Sequence, residues 1–77
     1  MLLSDAMEEK ILKVNGINTD FESKKKILSL GIQTDDLIIK LSGTPWGAIL
    51  VKNLTGTNSK VAIGRGIAKR IDVVYEA

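Results

Sequence analysis

The stretch Lys24-Lys25-Lys26-Ile27-Leu28-Ser29-Leu30-Gly31-Ile32 decides how this chain folds, because it holds the body and the exit of its one amphipathic helix. Gly31 ends that helix: the residue just past a helix terminus often needs a left-handed backbone, which glycine adopts without a Cβ clash. Ile32 then folds back on Ile27 as the hydrophobic contact of the cap. Upstream, Thr19 and Glu22 have the spacing of a capping box, with Thr19 capping the first turn and Glu22 returning a bond to the Thr19 N–H. Together these signals predict a helix from about residue 20 to about residue 30. Phe21 and Leu28, seven apart, form with Ile27 an apolar stripe expected to face the core, while the three lysines project around it. On that placement, Leu28→Ala is expected to cost roughly 2–5 kcal/mol.

Outward from the helix, β-biased runs alternate with turn signals. Residues 10–14 read as a first strand closed by the Asn15-Gly16 turn, and residues 36–41 as a second strand buried on much of both sides. Ser42-Gly43-Thr44-Pro45-Trp46-Gly47 interrupts the pattern with the only proline and the only tryptophan. Residues 48–54 return, Thr55-Gly56-Thr57-Asn58-Ser59 turns, and residues 60–63 make a third member of the meander. Gly64-Arg65-Gly66 leads into one helical or 3₁₀ turn at residues 67–70 and a closing strand at 71–75. At the start, Leu2, Leu3, Ala6 and Met7 read either as a short amphipathic turn packed on the core or as a loosely ordered end over residues 1–9. The expected fold is mainly β, a small closed barrel of about five strands in a single domain over residues 1–77. One helix is inserted after the first strand and a helical turn precedes the last; closure removes the exposed edges of a five-stranded sheet.

Composition narrows the function. A chain of 77 residues, 44% of them hydrophobic, buries only about 60% of its unfolded surface, so its stability margin is thin. Cysteine and histidine are both absent. That removes the thiol nucleophile, the disulfide framework, the usual transition-metal ligands and the usual general base together. A net charge of +2 is too small to argue for nucleic acid, although a pI near 9.0 suits anionic partners. The N-terminal residues lack the basic start and apolar run of a secretory signal, and no run reaches the roughly 20 apolar residues of a membrane span, so a cytoplasmic protein is expected.

Four motifs bear on chemistry. Gly64-Arg65-Gly66 precedes a helical turn and could cradle a phosphate, but it lacks the third glycine and the lysine of the known fingerprints, so a tight connection is the better reading. Asp35-Asp36 is the densest carboxylate pair, yet adjacent residues in extended chain point apart and rarely share an ion. Lys24, Lys25 and Lys26 make a basic helix face: either a solvated surface or a docking site for an acidic patch on a partner. Trp46, in its glycine-flanked loop, is either an exposed binding anchor or a lid over one end of the barrel. No convergent carboxylates and no paired serine point to catalysis, so no enzyme, catalytic residue, cofactor or metal site is expected.

The basic-to-Leu-Gly-Ile segment, the strand pair around the Pro and Gly loop, Val61-Ala62-Ile63 and Ala68-Lys69-Arg70-Ile71-Asp72-Val73 together resemble the FeoA family, the small ferrous iron transport A proteins. The resemblance spans residues from about 3 to 74. It implies an SH3-like barrel and a cytosolic accessory protein that acts with FeoB, the GTP-binding membrane transporter of ferrous iron, reaching the membrane only through that partner. Such proteins are often described as binding transition metals; without His or Cys, a ferrous site here would have to be carboxylate-only and weak. Two positions depart from the family pattern. Thr34-Asp35 stands where Pro-Gly is common, a place where Asp tolerates the left-handed turn, and Glu8-Glu9 replaces a Gly-containing lead-in to the first strand. The competing readings are another SH3-like module binding RNA or protein, or a relative of the C-terminal domain of iron-dependent repressors. Stacking platforms for RNA or proline-rich peptides are scarce, with only Phe21, Trp46 and Tyr75 aromatic and Phe21 expected in the core.

Overall fold

The computed structural model describes residues 1–43, 47–55 and 58–76. A 3₁₀ turn at Leu3–Asp5 is followed by strand β1 (Ile11–Ile17), helix α1 (Phe21–Ser29), strands β2 (Leu37–Gly43), β3 (Ile49–Asn53) and β4 (Lys60–Ile63), a helical turn α2 (Arg65–Ala68) and strand β5 (Ile71–Tyr75). The strands form one antiparallel sheet in the order β4-β3-β2-β1-β5. This is the expected mainly-β, SH3-like architecture, with a helix after the first strand and a helical turn before the last, but the expected closure is not seen: among the described residues no ladder joins β4 to β5, so two edges remain.

Period-two burial explains why these segments are strands. Leu12 and Val14 of β1, Ile38 of β2, Ile49 and Val51 of β3, Ile63 of β4, and Ile71 and Val73 of β5 are all fully buried, each alternating with more exposed neighbours. Ile27, Ile32, Leu3 and Ala68 close over them. Gly43 sits where a side chain would be tight, since a Cβ there would lie 3.3 Å from both Ile49 Cγ1 and Lys40 Cε and these would have to give by a few tenths of an ångström.

β4 and β5 end the ladder, and α2 links them. Each outer edge is blunted differently. The Val73 N–H donates to the Met1 carbonyl at 2.7 Å, and Leu2 forms an antiparallel bridge with Asp72, so the N-terminal residues lie along the outside of β5. β4 is only four residues long and opens on exposed Lys60, a short charged edge of the kind that discourages pairing with another chain.

The N-terminal residues are docked rather than loose. Leu3 is fully buried and Ala6 nearly so. Their anchor is Lys40, an inward position of β2 at 6% exposure, whose Nζ donates to the carbonyls of Ala6 (2.8 Å), Ser4 (3.1 Å) and Leu3 (3.4 Å). A buried ammonium needs such acceptors, and the 3₁₀ turn and the residue after it supply them: Leu3 O shares itself with the Ala6 N–H at 3.2 Å, while the Ser4 and Ala6 carbonyls lie past the reach of the turn's own bonding.

Asn15-Gly16 is not a turn. β1 runs through it to Ile17, because β5 continues to pair with it (Val14↔Val73, Gly16↔Asp72, Ile17↔Ile71), and the extra residue is absorbed as a register shift between Val14 and Gly16. Asn15 Nδ2 donates to Asp72 Oδ2 at 3.0 Å, so the bulged residue is tied to the partner strand. β2 starts one residue later than expected and continues to Gly43, while β3 is trimmed at both ends. The helical turn comes two residues early because extended Gly64 caps it.

Candidate functional site

Helix α1 begins where a side chain can satisfy its first free N–H groups. Asp20, not Thr19, is the N-cap: its Oδ1 accepts from the Ser23 N–H at 3.0 Å. Thr19 instead donates its hydroxyl to Asp20 Oδ1 at 3.4 Å. Hydrogen bonds from Ser23 hold the Asp20 carboxyl below the ordinary carboxylate value. At the other end Gly31 adopts φ +87°. The Gly31 N–H donates to Leu28 O at 2.9 Å and the Ile32 N–H to Ile27 O at 3.4 Å, the paired bonds of a Schellman cap. Ile27 and Ile32 are both fully buried, as the sequence predicted for that cap. Asn53 locks the exit, since its Nδ2 donates to Gly31 O (2.6 Å) and Asp36 Oδ2 (3.0 Å) while its Oδ1 accepts from the Thr55 N–H (2.8 Å).

The helix, however, buries only Ile27 of the expected stripe. Ile27 is its one fully buried residue, whereas Phe21 is 73% and Leu28 47% exposed. At about 100° per residue, Phe21 and Leu28 fall on nearly one line and Ile27 lies about 120° away, so a single helix cannot bury all three equally. The core is completed by Ile27 with Ile32. Phe21 and Leu28 therefore mark an outward line, with Lys24 about 60° to one side of Phe21 and Lys25 about 40° to the other. Lys25 Nζ stands 5.3 Å from the centre of the Phe21 ring, within cation–π range. Lys24, Lys25 and Lys26 are all exposed. The arrangement offers an aromatic, an aliphatic and three cations on one short helix, which is binding chemistry rather than bond-making chemistry. Spacing in the sequence groups the two apolar side chains but points them inward, whereas they face water; Trp46 lies outside the described residues.

Elsewhere the candidate motifs carry little. Between the start of α1 and α2 lies a cleft of about 540 Å³ bordered by Asp20, Ser23, Ile27, Gly64, Gly66 and Arg70. An anion placed there would meet the Asp20 carboxylate, whose bonds already occupy the Ser23 N–H, so the glycine pair serves as a connection. Asp35 and Asp36 diverge: Asp35, at φ +74°, reaches Lys13 at 3.8 Å, while Asp36 Oδ2 accepts from the Gln33 N–H at 2.9 Å and from Asn53. Among the described residues no three His, Cys, Asp or Glu side chains gather where a metal ion could sit. A second exposed apolar patch comprises Met7, Ile11 and Tyr75 around a groove of about 390 Å³ that Lys10 and Glu76 also border. The Met7 N–H donates to the Tyr75 hydroxyl across it at 3.1 Å.

Comparison with known proteins places this geometry among relatives. The family model described as the FeoA domain matches residues 1–75. No curated protein sequence matches the chain. Among solved structures, the crystal structure of an iron uptake regulatory protein, FeoA, superposes with a TM-score of 0.89 at 25% identity, covering 99% of this chain and 97% of that one. A FeoA-like protein from Clostridium acetobutylicum, solved by NMR, gives a TM-score of 0.83 at 21% identity over 97% of this chain and 85% of that one. A manganese-dependent transcriptional repressor in complex with manganese gives a TM-score of 0.88 at 23% identity; 99% of this chain matches 36% of the repressor.

Proposed function

Because the chain belongs to the FeoA family, which is tied to ferrous iron transport, we propose that it is a cytoplasmic, non-enzymatic accessory protein that binds the cytosolic part of a FeoB-type GTP-binding iron transporter and modulates ferrous iron uptake. The observation that carries this reading is the exposed part of α1, where Phe21 and Leu28 stand between Lys24 and Lys25, with Lys26 exposed further round the helix, in a molecule with neither histidine nor cysteine for catalysis. An exposed aromatic beside cations suits recognition of another macromolecule's surface. Among the described residues no helix is long and apolar enough to cross a membrane, so the membrane is reached through the partner. Lys24, Lys25 and Lys26 are assigned to that contact. Trp46 is assigned to it from its loop composition, and a strongly blue-shifted, quencher-resistant Trp46 fluorescence in the free protein would remove it. Titration of the full chain against the transporter's cytosolic part, with and without guanine nucleotide, tests the proposal: saturable binding supports it, and none at high micromolar concentration counts against it.

The likeness to a manganese-dependent repressor favours one second reading, a relative of the C-terminal domain of metal-dependent repressors. That reading expects retention by such a repressor and none by the transporter.

A further inference from the structure

Resting on the transporter reading above, we infer that α1 docks as a unit into a protein surface that offers an apolar pocket to Phe21 and Leu28 and carboxylates to Lys24 and Lys25. Phe21 and Leu28 are seven residues, about 10 Å, apart along the helix axis. Both lie off the buried side, which holds Ile27, Phe21 about 120° and Leu28 about 100° around the axis from it. Phe21 gives the barrel almost nothing, since 73% of it meets water, so its free energy of burial is available to a partner. The lysines fix the sign of that partner: three consecutive cations repel a basic surface and steer an acidic one. Lys25 reinforces the point, because its ammonium stands over the Phe21 ring and reaches the partner together with it.

A discrete protein pocket fits better than an anionic bilayer. Asp20 and Glu22 flank Phe21, and both are exposed. A bilayer would press its phosphates against these carboxylates along with the lysines, whereas a protein can place its carboxylates only where the cations are. The Met7, Ile11 and Tyr75 patch has no comparable preference, since its rim holds one lysine and one glutamate.

The test measures binding of the full chain to the cytosolic part of the FeoB-type transporter by surface plasmon resonance, for wild type, Phe21→Ser, Leu28→Ser and Lys24→Glu/Lys25→Glu. Vesicles of phosphatidylglycerol are run in parallel, and thermal unfolding checks each variant. Phe21→Ser is expected to keep its fold and to lose roughly 30-fold in affinity, the scale of an interface hot spot. The double charge reversal is expected to slow association about tenfold at low salt and to flatten its salt dependence. If wild type binds the transporter and Phe21→Ser binds equally well, the inference falls and the transporter reading stands. If wild type does not bind the transporter, both fall. Binding to the vesicles alone would make lipid the occupant and overturn the protein pocket.

Discussion

The 3₁₀ turn at Leu3–Asp5 and helix α1 both cover the barrel, yet the shorter segment is the more firmly held. The three-residue turn buries Leu3 completely and gives its carbonyls to the Lys40 ammonium. The nine-residue helix buries only Ile27 completely and leaves Phe21 and Leu28 in water. Their hydrogen bonding explains the difference. A single turn leaves most of its backbone groups without internal partners and needs a tether from the sheet, while α1 satisfies itself between the Asp20 cap and the Gly31 exit. One buried side chain and two good caps suffice for α1, so its outer face is free of any folding duty. The element that stability uses least is thus the one left open to a partner.

The comparison breaks first in the core. Leu3→Ala and Ile27→Ala are each expected to lower unfolding free energy by roughly 2–5 kcal/mol, read as a large drop in urea midpoint. Leu28→Ala, next to Ile27 but half-exposed, is expected to cost under about 1 kcal/mol; equal shifts for residues 27 and 28 would show that the helix sits differently. Lys40→Met keeps most of the side-chain bulk but strands the Ser4 and Ala6 carbonyls, while Leu3 O keeps its bond from the Ala6 N–H, for a loss of about 1–3 kcal/mol, with faster amide exchange over residues 1–6 and no change over α1. Gly31→Ala has open space for the new methyl, so its cost is the left-handed backbone alone, about 1 kcal/mol.

The smallest effect is the pH response of the Asp20 cap. Its carboxyl is held low in the folded protein, chiefly by Ser23. It therefore stabilises the fold above the unfolded carboxylate's pKa of about 3.9, and that contribution fades as pH falls through the lower folded value. Asp20→Asn keeps a capping oxygen without the charge. The variant is expected to show a shallower loss of urea midpoint between neutral and acid pH than wild type, and parallel curves would refute the assignment.

Much of this architecture was readable from residue order. Gly31 and Ile32 announced the helix exit, and the β-biased runs at Lys60–Ile63 and Ile71–Tyr75 fell where the strands are. Periodicity failed at the orientation of α1, because spacing states which side chains share a face but not which face the core accepts. Two eligible caps stood side by side at Thr19 and Asp20, and local pattern gave no reason to prefer the carboxylate. Asn15-Gly16 has the composition of a hairpin turn, yet long-range pairing with β5 kept it in the strand. Lys40 and Asn53 were invisible in advance, since a buried cation and a buried amide have meaning only beside the carbonyls they meet. The candidate site is thus visible in the sequence as Phe21, Leu28 and the lysines, but spacing alone points its apolar half to the interior.

Hydrogen–deuterium exchange of the full chain, free and with the transporter's cytosolic part, bears most directly on the claim that α1 is the docking element. Slower exchange concentrated in residues 21–29, with the strand amides near Ile11 and Tyr75 unchanged, is the predicted footprint. Protection confined to Ile11, Tyr75 and their neighbours, with α1 exchanging as in the free protein, would contradict it.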